Sequence, residues 1–178
     1  MRIEAAGIDV IQFDEPAFNV YFDEVRDWGV AALERAAQGP SSTTAVHICY
    51  GCGIKANIDW KKTLGAEWRQ YEQTLPLLAQ SGIDQVSLEC ANSHVPIDLL
   101  ALLAGKDVLV GAVDVCHGPG GNPGGRRRDP SRSTEVRSRR APVPLHQLRH
   151  GAPVPDVARE KMRSLAAGAA LVRGELDG

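Results

Sequence analysis

The sequence predicts an α/β protein built on a parallel sheet, and three observations carry that expectation. Strand-like and helix-like stretches alternate through residues 1–115, giving four βα units in succession. The strand-like stretches are mostly apolar, as strands covered on both faces are. Residues able to do acid–base or metal chemistry (Asp14, His47, Cys49, Glu89 and Asp114) lie in or just after those stretches. That is the C-terminal edge of a parallel sheet, where ligands bind in barrels and open sheets alike.

Taken in order, residues 10–13 (VIQF) form a first strand ending in Asp14-Glu15-Pro16. A helix follows, with Phe22, Val25, Gly29, Ala32, Leu33 and Ala36 on one face. Residues 45–50 (AVHICY) are apolar, partly β-branched and bounded by Ser/Thr and Gly, so they read as a short buried strand. A second helix carries Leu64, Trp68, Tyr71, Leu75 and Leu78. Residues 85–89 (QVSLE) give a third strand, 97–103 a short helix, and 108–113 (VLVGAV) a fourth strand ending at Asp114.

Residues 116–151 differ in kind. Gly, Pro and Arg dominate them and neither helical nor strand periodicity survives, so an irregular segment is expected. Its basic runs could meet nucleic acid, but no aromatics are interleaved for base stacking. Residues 152–178 resume as an amphipathic helix with Met162, Leu165, Ala169 and Val172 on one face and Asp156 and Glu160 near its start.

Composition narrows the function. With 178 residues the chain can bury a sizeable core, and a hydrophobic content of 43% and a formal charge of -2 point to neither nucleic acid nor membrane. There is no 18-residue apolar run, and the charged MRIEAAG start lacks the apolar core of a signal peptide, so a cytoplasmic protein is expected. Four cysteines without a secretion signal suggest metal or thiol chemistry. His47 and Cys49 share a strand face about 7 Å apart, and both can reach one zinc ion. A satisfied buried histidine beside a small apolar cysteine is the plainer alternative.

Three motifs decide between these readings. IQFDEPAF (11–18), HICYG (47–51) and SLEC (87–90) occur in an order that resembles the C-terminal catalytic domain of cobalamin-independent methionine synthases, particularly their compact single-domain relatives. The resemblance implies a (βα)8 barrel with zinc at its C-terminal face, held by His, Cys, Glu and a second Cys. His47, Cys49 and Glu89 match the first three ligands. Asp14, with Glu15 beside it in the same motif, matches the acid that holds the amino group of homocysteine. The implied partners are homocysteine and a methyl donor, either a methyl-folate or a methylated corrinoid carrier. Another zinc-dependent thiol alkyltransferase of the same superfamily, or a non-catalytic fragment, is the alternative. Cys52 is expected to be a bystander, Cys90 a core thiol on the opposite face from Glu89, His94 a surface residue, and Trp28, Trp60 and Trp68 packing residues.

The chain departs from the family twice. A (βα)8 barrel takes about 250 residues, so the expected fold is the second half of one, incomplete, with the Gly/Pro/Arg-rich insert before the last helix. A separate N-terminal half, or a second copy, is the expected partner. In addition, no cysteine follows Cys116 to serve as the fourth ligand. In one permitted back-translation of residues 142–150, a one-nucleotide offset gives LYPCTNCGM, which contains the missing ligand motif. The same offset over 116–125 gives ATDRVETPE, which suits a loop and helix start. The expectation is therefore an out-of-frame segment at 116–151.

Overall fold

The computed structural model describes residues 4–51, 55–91, 93–113, 143–146 and 155–176. Its five strands are β1 (Val10–Asp14), β2 (Thr43–Ile48), β3 (Gln85–Glu89), β4 (Asp107–Val113) and β5 (Val143–His146). They lie side by side in chain order, every neighbour parallel. Parallel neighbours in chain order are what successive units of a βα barrel produce, each crossover returning over the same face.

The helices cover one face. Between β1 and β2 come α1 (Ala17–Val20), α2 (Phe22–Val25) and α3 (Gly29–Ala36); between β2 and β3 come α4 (Lys55–Lys61) and α5 (Tyr71–Ala79). A 3-10 helix, Ile97–Leu103, links β3 to β4. Val46, Ile48 and Tyr50 from β2 and its end, with Val86, Leu88 and Cys90 from β3, meet Phe18, Val25, Leu33, Tyr71, Leu75, Leu78 and Leu103 in one core. Strand side chains alternate, so residues 47, 49, 87 and 89 fall on the other, inner face.

Four expectations are corrected. The helix after β1 is three short ones, because Tyr21 (φ -130°, ψ 41°) and Trp28 (φ -132°, ψ -17°) leave helical geometry. The turns bring Phe18, Val25 and Leu33 into one core while Ala32 and Ala36 stay exposed, and a Cβ on Gly29 would stand 3.0 Å from the Phe18 ring. Leu64 and Trp68 precede the helix that carries Tyr71, Leu75 and Leu78. Gly65 turns the chain at φ +74°, and the Trp68 amide bonds to the His94 carbonyl at 3.1 Å. Trp28 is not a packing residue. It is 58% exposed, with its indole N–H on the Glu24 carbonyl.

The fourth correction concerns the stretch expected to be irregular. Val143–His146 pairs with β4, Leu109 to Val143 and Gly111 to Leu145. Pro144 has no N–H to give, and an edge strand tolerates that. Asp114, Cys52 and Cys116 lie outside the described residues.

The C-terminal helix forms as expected, as α6 (Pro155–Leu176), and packs on β4 and β5. Leu165, Ala169 and Val172 are half-buried, but Met162 is 54% exposed. Lys161 stands in the half-buried stripe in its place, because the stripe steps by four from Ala169 to Leu165 to Lys161.

The N-terminal edge of the sheet is tied by side chains reaching backbone. Glu4 Oε1 accepts from the amides of Ser41 (2.6 Å) and Ser42 (2.7 Å) and from both hydroxyls. Asp84 accepts from the Thr44 amide and hydroxyl at 2.8 and 2.9 Å, and Lys106 Nζ donates to the Ile83 carbonyl at 2.7 Å. These bonds leave the opposite, C-terminal edge free for chemistry.

Candidate metal centre at the C-terminal edge

Register places the sequence-predicted residues in two adjacent rows. Asp14 pairs with His47, and His47 with Ser87. One step beyond the Ile48–Leu88 pair come Cys49 and Glu89, and Glu89 pairs with Gly111, which adds no side chain to the row. Neighbouring parallel strands are about 4.8 Å apart, so nitrogen, sulfur and oxygen donors stand on consecutive strands at one edge and on one face. Asp14, His47, Cys49 and Glu89 thus lie at or just beyond the C-terminal ends of β1, β2 and β3.

Each side chain has its own tether. His47 Nδ1 lies 2.8 Å from Ser87 Oγ. Cys49 Sγ accepts from the Gly51 amide at 3.4 Å, and Glu89 Oε2 from the Tyr50 amide at 3.3 Å. Among the described residues no three His, Cys, Asp or Glu side chains are gathered closely enough to hold a metal ion. The donor set nevertheless suits zinc, which takes imidazole, thiolate and carboxylate together.

Asp14 is exposed, with one oxygen held by Gln12 Nε2 at 2.9 Å. Glu15 is used differently from Asp14. Its Oε1 accepts the Ala17 amide at 2.9 Å, closing the start of α1, and its own amide bonds to the His47 carbonyl. Glu15 therefore ties the two strand ends together.

The support beneath the row was not picked out from the sequence. Tyr71 donates its hydroxyl to the Ile48 carbonyl at 2.8 Å, and Asn19 Nδ2 donates to the Cys49 carbonyl at 3.2 Å. Burial, with smaller contributions from Cys90 and Glu89 nearby, raises the Tyr50 and Tyr71 phenols well above their ordinary range. Both remain neutral donors at any working pH. Gly51 follows at φ +68°, where a Cβ would fall 2.2 Å from Asn57 Nδ2. Ser87 had a signal that went unused, since a residue two before Glu89 shares its face. Cys90 is buried in the outer core and His94 is exposed, as expected.

An α/β chain of consecutive parallel βα units with chemistry-bearing residues at the C-terminal edge defines part of a barrel-type enzyme fold. No protein-family model matches the chain. It is 50% identical, with a TM-score of 0.82, to the solved structure of a B12-independent methionine synthase from Shewanella sp. W3-18-1 in complex with selenomethionine, over 98% of this chain and 51% of that one. The methionine synthase of Sulfurisphaera tokodaii is 26% identical over 115 residues, 64% of this chain and 28% of that protein. That of Saccharolobus islandicus is 29% identical over 112 residues, 62% of this chain and 28% of that protein. These likenesses support the B12-independent methionine synthase family for the chain, which spans about half the length of the solved relative and 28% of the curated ones. Among the described residues no helix is long and apolar enough to cross a membrane.

Proposed function

We propose that this chain carries the zinc-dependent methyl-transfer site of a methionine synthase, moving a methyl group to the thiol of homocysteine to give methionine. One observation supports it above others. The rows of Asp14, His47, Cys49 and Glu89 share one face and one edge of a fold whose 50%-identical relative was solved with a selenium counterpart of methionine.

Zinc, when bound, supplies a positive charge that lowers the thiol pKa and keeps homocysteine as a thiolate near neutral pH. His47 gives a nitrogen donor, Cys49 a sulfur and Glu89 an oxygen. Asp14 accepts the ammonium of homocysteine, which fixes the amino-acid end and so aims the sulfur. Glu15 adds negative charge beside it while holding the turn. In the transfer, a sulfur–carbon bond forms to the methyl carbon. The donor's own bond to that carbon breaks and its electron pair stays on the donor: a folate nitrogen then takes up a proton, whereas a corrinoid cobalt keeps the pair, reduced by two electrons, and needs none. Either a methyl-folate or a methylated corrinoid fits this chemistry.

A second reading, an impaired fragment, draws on the separate tethers of the three donors. It goes with the proposal that residues 1–115 carry the site, 152–178 the last barrel helix, and 116–151 out-of-frame text. The curated alignments run for 112 and 115 residues, about the length of the first part. Resequencing the locus tests the frame, and one uninterrupted frame shared with close homologues rejects it.

The functional test is direct. Zinc is measured on the purified chain, and methionine formation from homocysteine is followed with a methyl-folate and with methylcobalamin. One tightly held zinc per chain with turnover rejects the impaired-fragment reading. A His47→Ala, Cys49→Ala double variant is expected to lose the metal, and zinc that persists in it rejects the site.

A further inference from the structure

We infer that Ser87 positions His47 for the metal by holding its Nδ1, so that Nε2 alone is presented to the ion. The inference rests on the zinc reading above and adds a residue to it. Ser87 Oγ lies 2.8 Å from His47 Nδ1, Ser87 is 1% exposed, and the two residues are register partners on β2 and β3. Both belong to strands inside the sheet, so the contact is fixed by the ladder rather than by a loop.

The chemistry follows from the ring. A neutral imidazole carries one proton, and the nitrogen that binds a metal must be the bare one. With Nδ1 facing a buried hydroxyl, the ring serves zinc only if Nδ1 keeps the proton and donates it to Ser87 Oγ. Nε2 then keeps its lone pair for the metal. Asp14, the register partner on the other side, is engaged by Gln12. Among the described residues Ser87 is thus the group placed to select the tautomer. Partners of this kind orient a histidine ligand, and their loss weakens metal affinity by about 10–100-fold.

The test has a readout that needs no metal. Nitrogen NMR of the zinc-free chain reports which His47 nitrogen is protonated, and chelator competition gives zinc affinity for wild type, Ser87→Ala and Ser87→Thr. The expected result is the Nδ1–H form in wild type, a loss of affinity of about 10–100-fold in Ser87→Ala, and recovery in Ser87→Thr, which keeps the hydroxyl. The Nε2–H form in wild type, or wild-type affinity in Ser87→Ala, overturns the inference. Affinity that stays low in Ser87→Thr while that variant unfolds like wild type also overturns it. A wild-type chain that holds Nδ1–H yet takes up no zinc rejects the zinc reading, and the metal-positioning role goes with it.

Discussion

On the outer face of the sheet Val46, Ile48, Val86 and Leu88 are sealed beneath helices, whereas the inner face at the same height carries Asp14, His47, Cys49, Ser87 and Glu89. Both β2 and β3 supply the two sets, alternating residue by residue. The outer residues are interchangeable in kind, since any apolar side chain of suitable volume serves there. The inner ones are not, because each is a particular donor at a particular register. The fold should therefore respond to outer substitutions and the metal to inner ones.

The largest expected effect is on the outer face. Leu88→Ala or Ile48→Ala removes a side chain that is 1% or less exposed, and each should cost about 2–5 kcal/mol by cavity formation. Chemical unfolding measures it, and zinc bound per folded chain should not change. A variant that keeps its stability but loses zinc breaks the division between the faces.

An intermediate effect is expected where the two faces join. Gly51→Ala places a Cβ against Asn57 at a positive φ, in the turn that follows β2 and Cys49. Backbone strain of this kind costs about 1–3 kcal/mol. Because the Gly51 amide also bonds the Cys49 sulfur, this variant should lower both the unfolding midpoint and zinc affinity. A change in only one of the two shows that the turn serves only that face.

The same contrast explains what could be read from the sequence. The strands were legible because β2 is short and mostly apolar and β3 alternates Gln85, Ser87 and Glu89 with Val86 and Leu88, and HxC needs only period-two alternation to share a face. The helices were less so. Nothing local in residues 17–36 shows that Tyr21 and Trp28 leave helical geometry, since the break follows from packing Phe18 against Gly29. Val143–His146 could not be read as a strand, because its pairing depends on β4, some thirty residues away in the chain. Ser87 was within reach of the alternation rule, but a serine carries no metal-ligand signal of its own. Its meaning comes from the 2.8 Å contact with His47.

The smallest expected effect tests whether the N-terminal edge stands apart from the site altogether. Glu4 gathers Ser41 and Ser42 at the far end of the sheet from His47, and hydrogen bonds from the Ser42 and Ser41 hydroxyls and then their amides hold its carboxyl at about 2 against an ordinary 4.5. A carboxyl depressed in the folded state contributes stability above its unfolded pKa and loses it as pH falls towards the folded one. Glu4→Gln keeps an acceptor oxygen and removes the charge. The variant should therefore melt slightly below wild type at pH 7, with the gap narrowing below about pH 4.5 and nearly closed by pH 2. The difference stays small because solvent screens an exposed cluster. Melting curves at several pH values measure the gap, and a gap that does not change with pH removes the charge from the account. Zinc affinity at pH 7 should be the same in both proteins, since Glu4 acts at the edge opposite to the donors. A shift in zinc affinity would show that the two ends of the strands are mechanically coupled, and the separation between scaffold and site would then have to be drawn along the strands as well as across the sheet.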